Sequence, residues 1–136
     1  MYFLLELSQF NGFTVKTKLP AIVLIEKDEV TLDLYRRELS KSFEVFSFDQ
    51  IDGVMEVIEE RDVRAVIVEP EISSGQGWEL ISSINTAFPD QSIPVIVCST
   101  RDKSSEHPPG VVTKYLTKPV LPNELKEKTL EVIKRN

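Results

Sequence analysis

The run Ala65-Val66-Ile67-Val68 constrains the fold more than any other stretch of this chain. Its four apolar side chains are β-branched after the first. They are continuous rather than alternating, which marks a strand covered on both faces. Such a strand belongs to a parallel sheet with helices packed above and below it. The run ends at Glu69, and Pro70-Glu71-Ile72-Ser73-Ser74-Gly75-Gln76-Gly77-Trp78 follows. An acidic side chain is thereby delivered to the carboxyl edge of the sheet, where ligands and chemistry sit in open α/β folds.

A chain of 136 residues makes one domain with one substantial core. Its net charge of −6 argues against nucleic acid as the main partner, because phosphate binding wants a basic face. The single cysteine, Cys98, lies inside Val95-Ile96-Val97-Cys98 and reads as a small buried hydrophobe. Without a disulfide framework, the expected setting is a reducing cytoplasm. No apolar stretch approaches the length of a membrane span, so no membrane partner is expected. The first residues also lack the basic start and long apolar core of a signal peptide.

Residues 1–19 form an arm with three readings: a hairpin about Asn11-Gly12, a short helix over residues 2–10, or a disordered leader. Its apolar Tyr2-Phe3-Leu4-Leu5 could serve pairing with another chain. From Pro20 to Asn136 the pattern is regular. Ala21–Ile25 reads as a first strand, followed by a helix to about Leu39 with Thr31, Leu34, Tyr35 and Leu39 inward. Phe43–Phe48 is the second strand, and Asp49 or Asp52 caps a helix that buries Val54, Val57 and Ile58. Arg64–Val68 is the third strand, and a helix from about Trp78 to Phe88 is stopped by Pro89. Ile93–Ser99 and Val112–Thr117 complete the sheet, and Pro122 opens a last helix with Leu125, Thr129, Val132 and Ile133 inward.

The strand ends share one rim. They bring Glu26 and Lys27, Glu69, Ser99, and Lys118 before Pro119. Each is unremarkable alone; their joint occurrence after strands one, three, four and five is specific. On Val66-Ile67-Val68-Glu69, on Ile93 to Ser99 and on Tyr115-Leu116-Thr117-Lys118-Pro119, the chain resembles the receiver domain of two-component response regulators. The resemblance implies a flavodoxin-like, doubly wound parallel sheet of five strands in order 2-1-3-4-5. It also implies a phosphoacceptor at position 69, switch residues at Ser99 and Tyr115, and a phosphate-binding lysine at Lys118.

The departures carry the functional reading. The family's chemistry uses an aspartate at 69 and two acids after the first strand; here stand Glu69, and Glu26 with Lys27. Mg²⁺ demands hard oxygen ligands in tight octahedral geometry, and an ammonium removes one. The longer Glu69 displaces the would-be nucleophile, and a shift near 1 Å can cost about 10²-fold in rate. Lys27 and Lys118 are both expected to reach Glu69, forming a fixed ion cluster with no metal, no cofactor and no catalytic residue. Tyr115 then reads as a packed strand residue. Asp102 to Gly110, with Ser104-Ser105 and Pro108-Pro109, stands where a fourth helix belongs, and that helix is expected to be shortened to one turn at most or replaced by a loop. The only histidine, His107, falls in that segment and reads as a surface residue.

The expectation is thus a pseudo-receiver, a phosphorylation-independent signalling module acting through a protein partner. A histidine kinase, an output protein or a second copy would each fit, and since the sequence stops at Asn136 the output is expected in trans. Two rivals stay open: a receiver still phosphorylated through Asp28 or Glu69, and a structural assembly subunit that uses the arm.

Overall fold

The computed structural model describes residues 2–5, 15–101 and 112–134. β1 (Tyr2–Leu5) and β2 (Val15–Lys18) pair antiparallel as a two-stranded sheet of their own, with Tyr2 opposite Lys18. The turn read at Asn11-Gly12 lies outside the described residues.

β3 (Ala21–Ile25), β4 (Glu44–Phe48), β5 (Val63–Val68), β6 (Val95–Ser99) and β7 (Lys114–Thr117) form one parallel sheet in the order β4-β3-β5-β6-β7. Counted within that sheet alone, the order is 2-1-3-4-5, as the resemblance implies. The helices are α1 (Glu29–Leu39), α2 (Val54–Glu60), the short α3 (Ile72–Gly75), α4 (Gly77–Ala87) and α5 (Pro122–Lys134).

Side-chain alternation along the strands builds two cores. Ile22, Leu24, Ala65, Ile67 and Ile96 meet Tyr35 and Leu39 of α1 and Leu125 and Val132 of α5. Val23, Ile25, Val66, Val68 and Val97 meet Val54 and Ile58 of α2 and Leu80, Ile81 and Ile84 of α4. This is why residues 21–25, 65–68 and 95–98 read as unbroken apolar runs: each of those residues is buried in one core or the other. Each large side chain fully buried this way contributes about 1.5–3 kcal/mol.

Some local readings need correction. Leu34 is 51% exposed; Tyr35 and Leu39 are buried as expected, and Leu32 packs at the margin in place of Leu34. Neither Asp49 nor Asp52 caps α2, which starts after Gly53 with no side-chain cap. Gly53 has φ +87°, a left-handed turn that glycine adopts without steric cost. The fourth and fifth strands begin later than expected, at Val95 and Lys114. The segment read as a replaced helix, residues 102–110 with His107, lies outside the described residues.

Candidate functional site at the carboxyl edge of the sheet

Backbone hydrogen bonds continue past the strand ends and draw the rim together. Glu26 N–H donates to Phe48 O (3.0 Å), Glu69 N–H to Ile25 O (3.0 Å), and Lys118 N–H to Ser99 O (2.6 Å). Four of the residues named from sequence therefore converge: Glu26, Glu69, Ser99 and Lys118. Glu26, Glu69 and Ser99 are buried, with at most 2% of their surface exposed. Burial this deep is tolerated only when a charge is paired and hydrogen-bonded.

Lys118 supplies the pairing. Its Nζ lies 2.5 Å from Glu26 Oε1 and 4.0 Å from Glu69 Oε1. The first is a charge-assisted hydrogen bond; the second is a coulombic contact too long to be one. Glu26 Oε2 accepts from Asp28 N–H at 3.0 Å, and Glu69 Oε2 from Glu71 N–H at 2.5 Å. Glu69 Oε1 is left buried with no hydrogen-bond partner.

Lys27 does not join the cluster. It is exposed, and among the described residues no ion pair links it to Glu69. Asp28 is also committed elsewhere, as N-cap of α1. Its Oδ2 accepts from Thr31 N–H (2.9 Å) and from the Thr31 hydroxyl (2.6 Å), and these bonds hold its carboxyl below the usual carboxylate range.

Sequence reasoning missed Arg101. Its N–H donates to Ser99 Oγ at 3.1 Å, its carbonyl accepts the Tyr115 hydroxyl at 3.1 Å, and its guanidinium lies 3.4 Å from Glu71. Two of these three links run through its backbone, which no motif of side chains reveals. Tyr115 packs its ring against the α2–α4 core. Along the loop after Glu69, Ser73 (φ 49°) and Ser74 (φ 60°) take left-handed backbone conformations, each costing about 1–2 kcal/mol for a non-glycine residue. The Lys118–Pro119 peptide bond is cis.

These residues do not fit the Mg²⁺ site the resemblance implies. Both oxygens of Glu26 and one of Glu69 are engaged, Asp28 Oδ2 caps α1, and Glu69 Oε1 is the buried rim oxygen left without a hydrogen-bond partner. Among the described residues, no group of three or more His, Cys, Asp or Glu side chains is disposed to hold a metal ion. Mg²⁺ is held through one or two carboxylates and its own waters, and here the position of one such carboxylate is taken by Lys27 while Glu26 is tied to Lys118.

The response regulator receiver domain family model matches residues 22–130. No curated protein matches the chain. Among solved structures, the chemotaxis response regulator CheY4 of Vibrio cholerae superposes with a TM-score of 0.75 at 13% identity, over 85% of this chain and 99% of that one. A response regulator receiver domain protein from Clostridium thermocellum gives 0.74 at 20% identity, over 86% and 96%. The signal receiver domain of an HD domain-containing protein from Pseudomonas fluorescens Pf-5 gives 0.71 at 22% identity, over 88% and 100%. At these identities the structural likeness speaks for the fold.

Proposed function

We propose, for a chain that belongs to the response regulator receiver domain family, a signalling module that docks on protein partners without being phosphorylated. Receiver domains are signalling modules that work with proteins such as kinases and output domains. The finer reading rests on one observation: the ammonium that neutralises the rim, Lys118, is hydrogen-bonded to Glu26 while Lys27 faces solvent. One ammonium thus serves two buried carboxylates, and among the described residues no cluster of acids is disposed to hold a cation that would offset an incoming phosphoryl group.

The Arg101 links support a site held in one arrangement. Glu69 holds the Glu71 backbone, Glu71 pairs with Arg101, and Arg101 ties down both Ser99 and Tyr115. The two switch positions are therefore engaged by the protein itself. No helix among the described residues is long and apolar enough to cross a membrane, and a cytoplasmic setting is part of the proposal.

The competing reading, phosphoryl transfer to Glu69, draws on its unpartnered Oε1. Titration of the ¹⁵N-labelled chain with millimolar Mg²⁺ and then beryllofluoride separates the two. The expected spectrum shows no saturable shifts at Glu26, Glu69 or Ser99. Saturable shifts clustered on those amides would overturn phosphorylation independence.

A further inference from the structure

We propose that the amino edge of the sheet, opposite the Glu26–Glu69–Lys118 cluster, carries a docking groove for an acidic peptide segment of a partner protein. Two hollows of about 490 and 300 Å³ adjoin there and share Arg61, Asp62 and Arg64. Lys18 and the residues entering β3 wall one end, and residues 91–94, leading into β6, wall the other. Neighbouring strands lie about 4.8 Å apart, so a groove beneath β3, β5 and β6 runs roughly 10 Å. That is the length of about three residues of extended peptide.

Charge selects the ligand. Most described lysines and arginines sit within 4.0 Å of a carboxylate. Among the described residues Lys18, Lys27, Arg61, Arg64 and Lys134 have no such partner and are exposed, and Lys18, Arg61 and Arg64 of these five gather at this groove. Against them the described lining residues include one acid, Asp62, so the described lining is three positive less one negative, or +2. In a chain of net charge −6 this is a local reversal of sign.

The Arg61 guanidinium stands 5.4 Å over the Phe46 ring, which restrains it before any ligand arrives. Two arginines offer planar forks that match carboxylates bidentately. Phosphate sites characteristically use the oriented N–H groups of a helix N-terminus. Here α1, α2, α4 and α5 all begin beyond the carboxyl ends of strands, on the far edge. An open groove with cations spaced along it suits carboxylates strung on an extended chain.

This inference rests on the reading of the domain as a protein-docking module, and it names the partner's chemistry. The two fail separately, because their probes read amides at opposite edges of the sheet. The probe is a twelve-residue peptide of alternating Glu and Ser, titrated into the ¹⁵N-labelled full chain. Saturable shifts are expected at the amides of Lys18, Leu19 and Ala21, of residues 61–64 and of residues 91–93. Arg61→Gln with Arg64→Gln should weaken the peptide about tenfold or more, as loss of two charge-assisted contacts implies. Should that double variant fail to fold, Lys18→Gln alone decides, with a weakening of a few-fold expected. Arg36→Gln with Arg37→Gln, whose parent side chains both pair with Asp33, should bind as the parent does. Shifts scattered over the surface, or equal weakening by the Arg36/Arg37 control, would overturn the proposal. Inorganic phosphate saturating the same amides at lower concentration than the peptide would overturn the peptide assignment.

Discussion

Glu26 and Glu69 end adjacent strands with side chains almost wholly buried, and a single ammonium, Lys118 Nζ, stands between them. Removing that ammonium strands two carboxylates in a low-dielectric rim, whereas removing Lys27 takes away a solvated side chain. Lys118→Met is therefore expected to destabilise the fold by roughly 3–5 kcal/mol, the usual cost of breaking a buried pair from one side. Lys27→Ala should stay within about 0.5 kcal/mol of the parent, as exposed substitutions do. Urea melts at neutral pH measure both; equal losses would place Lys27 inside the cluster. Adjacent residues leaving a strand direct their side chains to opposite sides. Position alone therefore made Lys27 look like a second partner for Glu69 when, of Glu26 and Lys27, only the first turns into the rim.

At the scale of elements, the loop from Glu69 to α4 holds the rim in place, and its tightest joint is Gly77. A Cβ there would lie 2.6 to 2.9 Å from the Pro70 backbone, whose carbonyl accepts the Gly77 N–H at 3.2 Å. Backbone cannot step aside as a flexible side chain can. Gly77→Ala should cost about 1–3 kcal/mol and move the amides of residues 69–77. Unchanged stability and spectra would mean that α4 docks more loosely than this contact implies.

The strands were the most legible elements, because burial on both faces leaves an unbroken apolar run such as Val66 to Val68. The helices were less so. Leu34 has the right spacing for a core residue, yet α1 is rolled so that Tyr35 and Leu39 face the sheet. Asp49 and Asp52 have capping chemistry, but the left-handed turn at Gly53 sets where α2 begins. Of the site, Glu26, Glu69, Ser99 and Lys118 were readable from strand ends, since a parallel sheet aligns them. Arg101 was not, because it acts largely through its main chain.

For the molecule as a whole, the two cores are stitched by one sheet, and a thiol sits in the α1–α5 half. Cys98 is buried, and its Sγ lies 3.9 Å from the Tyr35 hydroxyl, which donates to Val120 O at 2.9 Å. Burial pushes the Cys98 thiol up from 9.0 to about 11 and raises the Tyr35 phenol beyond its ordinary range. Both groups are held in their neutral, protonated forms in the folded state. Above pH 9 the unfolded chain releases the cysteine proton while the folded chain keeps it, so the unfolded state gains stability as pH rises. The contribution is whole below about pH 9 and is lost as pH climbs toward 11, amounting to about 2–3 kcal/mol at most. Tyr35 extends the same trend to higher pH. Urea melts between pH 8 and 10.5 should show the parent losing stability more steeply than Cys98→Ala, which has no thiol proton to release. Parallel slopes for the two proteins would show that the thiol is not held neutral by the fold, and that alkaline loss arises elsewhere.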